Sequence, residues 1–167
     1  MEGTPHTMHT PSRSILKSQA VLLHGINLAL VALWVYAAVS KLQAFDRFGE
    51  QLLRQPFPDW LADALQWGLP LAELAVAGLL SFGRTRAAGL GLSLLLMLLF
   101  TGYVGLAVAG VWEDLPCACG GIISRFSWSG HLWFNLFFTV LSGTGVLLWK
   151  KKKRFPRGGT ASGEAAY

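Results

Sequence analysis

The chain has 167 residues, of which 53% are hydrophobic and only 14% are charged. A water-soluble domain usually has about a quarter of its residues charged, so this composition argues against a soluble globular protein. The formal net charge is +5, but the basic residues cluster at the ends of long uncharged segments. This pattern excludes the basic face typical of nucleic-acid-binding proteins.

Four nearly uncharged segments follow one another along the chain. Each reaches the roughly 20 apolar residues that a helix needs to cross a bilayer. None alternates polar and apolar residues as a strand does, and only Glu73 interrupts the second segment. We therefore predict an all-α membrane protein, a four-transmembrane-helix bundle over residues 18–150, with helices at 18–40, 64–83, 87–112 and 126–149. Flexible tails are predicted at 1–17 and, after a basic run, at 151–167.

A soluble bundle of very apolar helices is the alternative to this interpretation. Its helices would each show a polar face at helical spacing, and segment 87–112 has almost none. The glycines of that segment are instead predicted to let neighbouring helices approach closely, at Gly91, Gly102 and Gly105.

The basic residues also predict how the helices are oriented. If both termini are cytoplasmic, ten of the 14 Lys and Arg residues lie on the cytoplasmic side, including the run "WKKKKRFPR" after the fourth helix. Lys and Arg in short loops favour the cytoplasmic side, and such a run also binds anionic lipid. We therefore predict an N-in, C-in protein of the bacterial inner membrane. The loop between the third and fourth helices is then periplasmic.

That loop carries the only cysteines of the chain, Cys117 and Cys119, in the sequence "EDLPCACGGIIS". A disulfide between residues this close requires a bent backbone, which the preceding proline and the two following glycines allow. Such a bond is expected to be strained and exchangeable, and it would stabilise the fold little. We predict a redox pair, with His131 as a candidate proton acceptor. Two alternatives stay open: an inert turn, and Cu(I) binding by the thiolates, for which only His131 is a further nearby ligand.

Three polar residues lie deep within the predicted helices. Glu73 is near the middle of the second helix, and Asn27 and Asn135 lie at similar depth in the first and fourth. A carboxylic acid at this depth is costly and normally faces the interior of the bundle. We predict that the three form a buried polar cluster, which serves either binding or the packing of the helices.

Several short motifs occur together in this order: "SKL" at the end of the first helix, "ELAVAG" in the second, and "CxCGG" before the fourth. The combination resembles the DoxX-like superfamily and, within it, the MauE branch of redox-associated membrane proteins. The resemblance implies a four-helix membrane protein that works beside a periplasmic thioredoxin-like protein. In methylamine utilisation, such proteins are implicated in maturing the disulfide-rich small subunit of methylamine dehydrogenase. Cys117 and Cys119 match the cysteine pair of the family, whereas Glu73 and His131 match no residue of established role.

Taken together, the sequence predicts an integral inner-membrane protein that takes part in periplasmic thiol–disulfide exchange or in maturing a disulfide-containing partner. As a candidate oxidoreductase component it would form a mixed disulfide with that partner. A quinone is the candidate electron carrier, by analogy with other four-helix membrane thiol oxidoreductases, and no resident metal is predicted. The alternatives are a non-enzymatic assembly factor and a small metal or solute carrier that uses Glu73.

Overall fold

A computed structural model of the protein describes residues 13–112 and 128–154, so Cys117 and Cys119 lie outside the described residues. The described residues form helices and no strand. The helices are α1 (Arg13–Gln43), α2 (Phe45–Leu53), α3 (Asp59–Ser81), α4 (Arg86–Val108) and α5 (Trp128–Arg154). The four long helices have the length and the apolar composition of membrane spans. The prediction of an all-α protein with four spanning helices is therefore confirmed.

The four long helices pack as a bundle in which α3 lies between α1 and α4, and α5 packs against both α4 and α1. Hydroxyl pairs join α4 to α5: Ser93 to Ser142 at 3.1 Å and Thr101 to Thr139 at 2.9 Å. From the first pair to the second the residue number rises along α4 and falls along α5, so the two helices are antiparallel. At one end of the bundle α1 and α4 finish, α3 and α5 begin, and α2 packs against α3. We call this end the α2 end.

Two of the long helices extend beyond the segments expected from the sequence. α1 begins at Arg13, inside the expected N-terminal tail, and α5 continues through the basic run to Arg154. Lys and Arg are good helix formers, and at the C-terminal end of α5 their positive charge is also favourable. The change from apolar to charged residues therefore does not end either helix.

Local backbone conformation sets the start of α3 and the end of α4. α3 begins at Asp59, earlier than expected, because the extended backbone of Pro58 (φ −65°, ψ 149°) starts the helix there. α4 ends at Val108, before the expected 112, because Gly110 has a φ of 74°. A residue with positive φ commonly terminates an α-helix, and glycine adopts it without steric cost.

The core of the bundle holds large apolar side chains together with a buried polar link. Trp34 is 1% exposed, and its Nε1 donates a hydrogen bond of 2.9 Å to Oγ of Ser93, which in turn contacts Ser142. The link joins α1, α4 and α5. The outward faces of the helices are apolar and exposed, as at Leu28, Trp133 and Val140. Such a surface fits lipid and not water, so this is a multi-pass membrane protein.

α2 is a short amphipathic helix that the sequence analysis did not assign. Phe48, Gly49 and Leu52 are buried against the bundle, whereas the charged residues of α2 are exposed. α2 packs closely against α3 at Gly49, where a Cβ atom would lie 2.5 Å from the side chain of Gln66. Nε2 of Gln66 also donates to the carbonyl of Phe45 at 3.2 Å. α2 is thus fixed in place at one end of the bundle.

Candidate functional site

A cavity of about 310 Å³ lies within the bundle and reaches α2. This volume is at the lower end of the roughly 300–1,000 Å³ of small-molecule sites. Residues of all five helices line it, and most are aliphatic or aromatic. Its polar lining residues are Lys41, Gln55, Glu73, Tyr103, His131 and Asn135. A mainly apolar cavity with a few polar groups is the usual form of a binding site for a small apolar molecule.

A buried ion pair stands at the centre of the polar lining. Nζ of Lys41 lies 2.7 Å from Oε1 of Glu73, and the two side chains are 7% and 1% exposed. Lys41 is in the last turn of α1. Because helical side chains lean towards the N-terminus of their helix, its long chain reaches back into the bundle. Its ammonium group also lies 3.4 Å from the carbonyl of Ala37 and 5.8 Å from the ring centre of Phe48 in α2.

Two polar atoms of the lining residues are buried without a hydrogen-bond partner among the described residues. They are Oε2 of Glu73, which is a hydrogen-bond acceptor, and Nδ2 of Asn135, which is a donor. Buried polar atoms in proteins are nearly always hydrogen-bonded, and each exception calls for an explanation. The wall of one cavity therefore includes one residue with an unpartnered acceptor and one with an unpartnered donor.

His131 lies one turn before Asn135 on α5, so both residues share the same face of that helix. The imidazole is 3% exposed, and its centre lies 6.5 Å from the ring of Phe134. Its predicted relation to the cysteine pair stays a prediction, because Cys117 and Cys119 lie outside the described residues.

Asn27 lies apart from the other two members of the predicted polar cluster. Its Nδ2 donates 3.1 Å to the carbonyl of Leu80, near the far end of α3 from α2. Leu80 is seven residues beyond Glu73, which places it about 10 Å further along the helix. Asn27 does not line the cavity, whereas Glu73 and Asn135 do. The structure therefore brings Glu73, Asn135 and His131 to one cavity and leaves Asn27 outside it.

Lys41 is the site residue that the sequence analysis missed. In the sequence it stands in the "SKL" motif, directly after the first predicted helix, which ends at residue 40. The available signal was Glu73 itself, because an acid in the middle of a membrane helix normally has a cationic or polar partner. Gln55 and Tyr103 were also missed: the hydroxyl of Tyr103 donates to Oε1 of Gln55, which connects α4 to the segment after α2.

The described residues include no group of three His, Cys, Asp or Glu side chains placed to hold a metal ion. The chemistry available in the cavity is hydrogen bonding and proton exchange with a carboxylate. Both would occur in surroundings made mainly of hydrocarbon, where electrostatic interactions are strong.

The model of the family described as "Methylamine utilisation protein MauE" matches residues 19–149. The match includes most of α1 and α5, all of α3 and α4, and the segment that carries both cysteines. No curated protein and no solved structure matches the chain. The wider placement in the DoxX-like superfamily stays a prediction from the sequence.

Proposed function

The chain belongs to the MauE family, the membrane proteins of methylamine utilisation, and from this premise we propose that it is the membrane component of a thiol–disulfide relay. One observation carries the proposal. Cys117 and Cys119 lie in the segment that joins α4 to α5, and Tyr103 and His131, near the adjoining ends of these helices, line the polar cavity. The segment that carries the thiol pair therefore leaves α4 and enters α5 at the α2 end of the bundle, where the buried polar groups lie.

In the proposed reaction a thiolate of the partner protein attacks the Cys117–Cys119 disulfide. A mixed disulfide forms and one cysteine is released as a thiol. The second partner thiol then displaces the other cysteine, so the partner gains a disulfide and the pair becomes two thiols. Reoxidation of the pair releases two electrons and two protons, which convert one quinone to one quinol. A quinone is the proposed acceptor because it is lipid-soluble and takes up both.

The proposed partner is a periplasmic thioredoxin-like protein, and the proposed substrate is a protein whose disulfides must be formed. Charge asymmetry supports an N-in, C-in orientation in a bacterial inner membrane, with the cysteine segment in the periplasm, where thiols can be oxidised. A membrane-impermeant maleimide added to reduced spheroplasts tests this placement. We expect it to label Cys117 and Cys119 without lysis, and labelling only after lysis would contradict the orientation.

Cysteine trapping tests the relay itself. Cys117→Ser and Cys119→Ser each leave one thiol, which cannot form the disulfide of the pair but can attack the disulfide of an oxidised partner in the reverse of this reaction. The partner then releases one thiol, and the mixed disulfide should accumulate because the neighbouring cysteine that would resolve it is absent. We expect a reducible, higher-mass adduct from at least one single variant and none from the double variant. A double variant that supports partner maturation at the wild-type level would exclude the relay.

A solute carrier is the second candidate function, and the buried Lys41–Glu73 pair beside a cavity favours it. A carrier would need Glu73 and not the cysteines. Loss of function in Glu73→Gln, together with full function in the double cysteine variant, would support the carrier over the relay.

A further inference from the structure

We propose that the cavity is a binding site for the ring of a lipid-soluble quinone or quinol, with Asn135 and Glu73 as its hydrogen-bonding residues. The inference deepens the proposed relay and rests on it for the role of the bound molecule. The cavity, its lining residues and their unpartnered polar atoms support the site itself.

The lining selects the general type of ligand. Leucine, methionine and aromatic side chains form most of the wall, including Trp34 and Phe100, whose ring centres are 6.2 Å apart. A sugar or an amino acid would lose its hydration there without enough polar partners in return. A fatty acyl chain would leave the polar atoms of the lining without partners. A flat ring that carries two oxygens matches both the apolar wall and the polar atoms.

The unpartnered atoms indicate which oxygen groups the ligand carries. Nδ2 of Asn135 can donate to a quinone carbonyl, and Oε2 of Glu73 can accept from a quinol hydroxyl. Rotation about the last side-chain bond of either residue redirects its polar atoms, and this torsion has a broad energy minimum in Asn and Glu. The same two residues therefore match both redox forms of the ligand.

Lys41 determines which oxygen of Glu73 could exchange a proton with the ligand. Its ammonium group binds Oε1 at 2.7 Å and leaves Oε2 as the available acceptor. Formation of a disulfide from two thiols releases two electrons and two protons, and reduction of a quinone to a quinol takes up the same number. Glu73 is the carboxylate beside the cavity that can take a proton from a quinol or return one to a quinone.

Helix packing is the competing explanation for these polar residues, since buried Asn and ion pairs also hold helices together in membranes. The two explanations separate at Asn135 and Asn27. Both are buried asparagines, at 4% and 6% exposure, but only Asn135 lines the cavity. A packing role predicts similar effects of the two Asn→Leu substitutions on ligand binding, and a ligand site predicts different effects.

The test uses the full chain carrying Cys117→Ser and Cys119→Ser, in nanodiscs, titrated with a ubiquinone that has one isoprenoid unit. We expect saturable binding, about tenfold weaker binding in Asn135→Leu from the loss of one buried hydrogen bond, and unchanged binding in Asn27→Leu. Equal affinities in the two Asn variants, or no saturable binding to the parent, would overturn the proposal.

A second variant guards against a folding defect in Asn135→Leu. Leu69 lines the cavity one turn before Glu73, so Leu69→Trp should fill part of the space and abolish binding while the melting temperature stays the same or rises. Binding retained in a stable Leu69→Trp protein would contradict the site.

The outcomes for the site and for the relay are independent. Trapped mixed disulfides without ubiquinone binding would refute the site and leave the relay in place. Ubiquinone binding with the expected pattern of variants, without any mixed disulfide, would refute the relay and leave the site in place.

Discussion

Replacing Lys41 by Met keeps the length and apolar stem of the side chain and removes its positive charge from the bundle. Glu73, which lines a mainly apolar cavity, is then left 1% exposed and without its cationic partner. At the observed 2.7 Å, Coulomb attraction at an effective dielectric constant of about 20 amounts to roughly 6 kcal/mol. Much of this attraction offsets the cost of removing both charges from water. Removing one partner of a buried pair therefore typically costs about 3–5 kcal/mol.

The free energy of unfolding, measured by SDS titration in mixed micelles, is the appropriate assay for Lys41→Met. We expect a loss of about 3–5 kcal/mol, a similar loss for Glu73→Gln, and a clearly smaller loss in the double variant than the sum of the two. Lys151→Met is the matched control, because Lys151 is exposed on α5, and its effect should stay within about 0.5 kcal/mol. If Lys41→Met costs no more than Lys151→Met, or if the double variant is simply additive, the ion pair contributes no specific stability.

Two further predictions concern the packing of the bundle, and the same unfolding assay measures both. In Gly89→Ala a Cβ atom would lie 2.8 Å from a backbone nitrogen of α3, so we expect the free energy of unfolding to fall by about 1–3 kcal/mol. Gly91→Ala is the control, because its Cβ atom would meet nothing within 4 Å, and its effect should be neutral or slightly stabilising. Equal effects of the two substitutions would contradict the close approach of α3 and α4. Trp34→Phe removes the hydrogen-bond donor to Ser93 and should lower the free energy of unfolding by about 1 kcal/mol. Trp133 is 72% exposed, so Trp133→Phe should change stability little. A larger loss in Trp133→Phe than in Trp34→Phe would contradict the outward placement of Trp133.

The number of spanning helices could be predicted because the bilayer imposes a length on each apolar segment. Charged residues bracket each segment in the sequence, and the structure places the ends of the helices near those charges. The exact ends depended on local features of another kind, such as the extended Pro58 before α3 and the positive φ of Gly110 after α4. Hydropathy does not report such features.

The faces of the helices could not be predicted in the same way. Depth alone grouped Asn27 with Glu73 and Asn135, but contact also depends on how each helix is rotated about its axis. The same limit applies to glycine: Gly91 and Gly102 have no neighbour within 4 Å of a Cβ position, whereas Gly89 meets the backbone of α3. Counting small residues therefore shows that close packing is available without showing where it occurs.

α2 did leave a signal in the sequence. Phe45, Phe48 and Leu52 recur at helical spacing between charged residues, as expected of a short amphipathic helix at a membrane surface. A search for segments long enough to cross the bilayer does not detect a helix of nine residues. Its packing against α3 places Phe48 over the ammonium group of Lys41, which makes α2 part of the site.

The burial of Lys41 gives the strongest argument that this end of the bundle has a chemical role. A lysine in the last turn of α1 has a flexible chain and could extend towards the membrane surface, so topology does not force it inwards. An apolar residue there, opposite an apolar residue at position 73, would hold α1 and α3 together at least as well, since such replacements are often neutral or stabilising. The chain instead keeps a charged pair with one carboxylate oxygen unpartnered among the described residues, beside a cavity and at the end from which the cysteine segment leaves α4. The proposed reaction of thiols with a quinone would use a buried carboxylate that can exchange a proton, whereas packing alone does not require one.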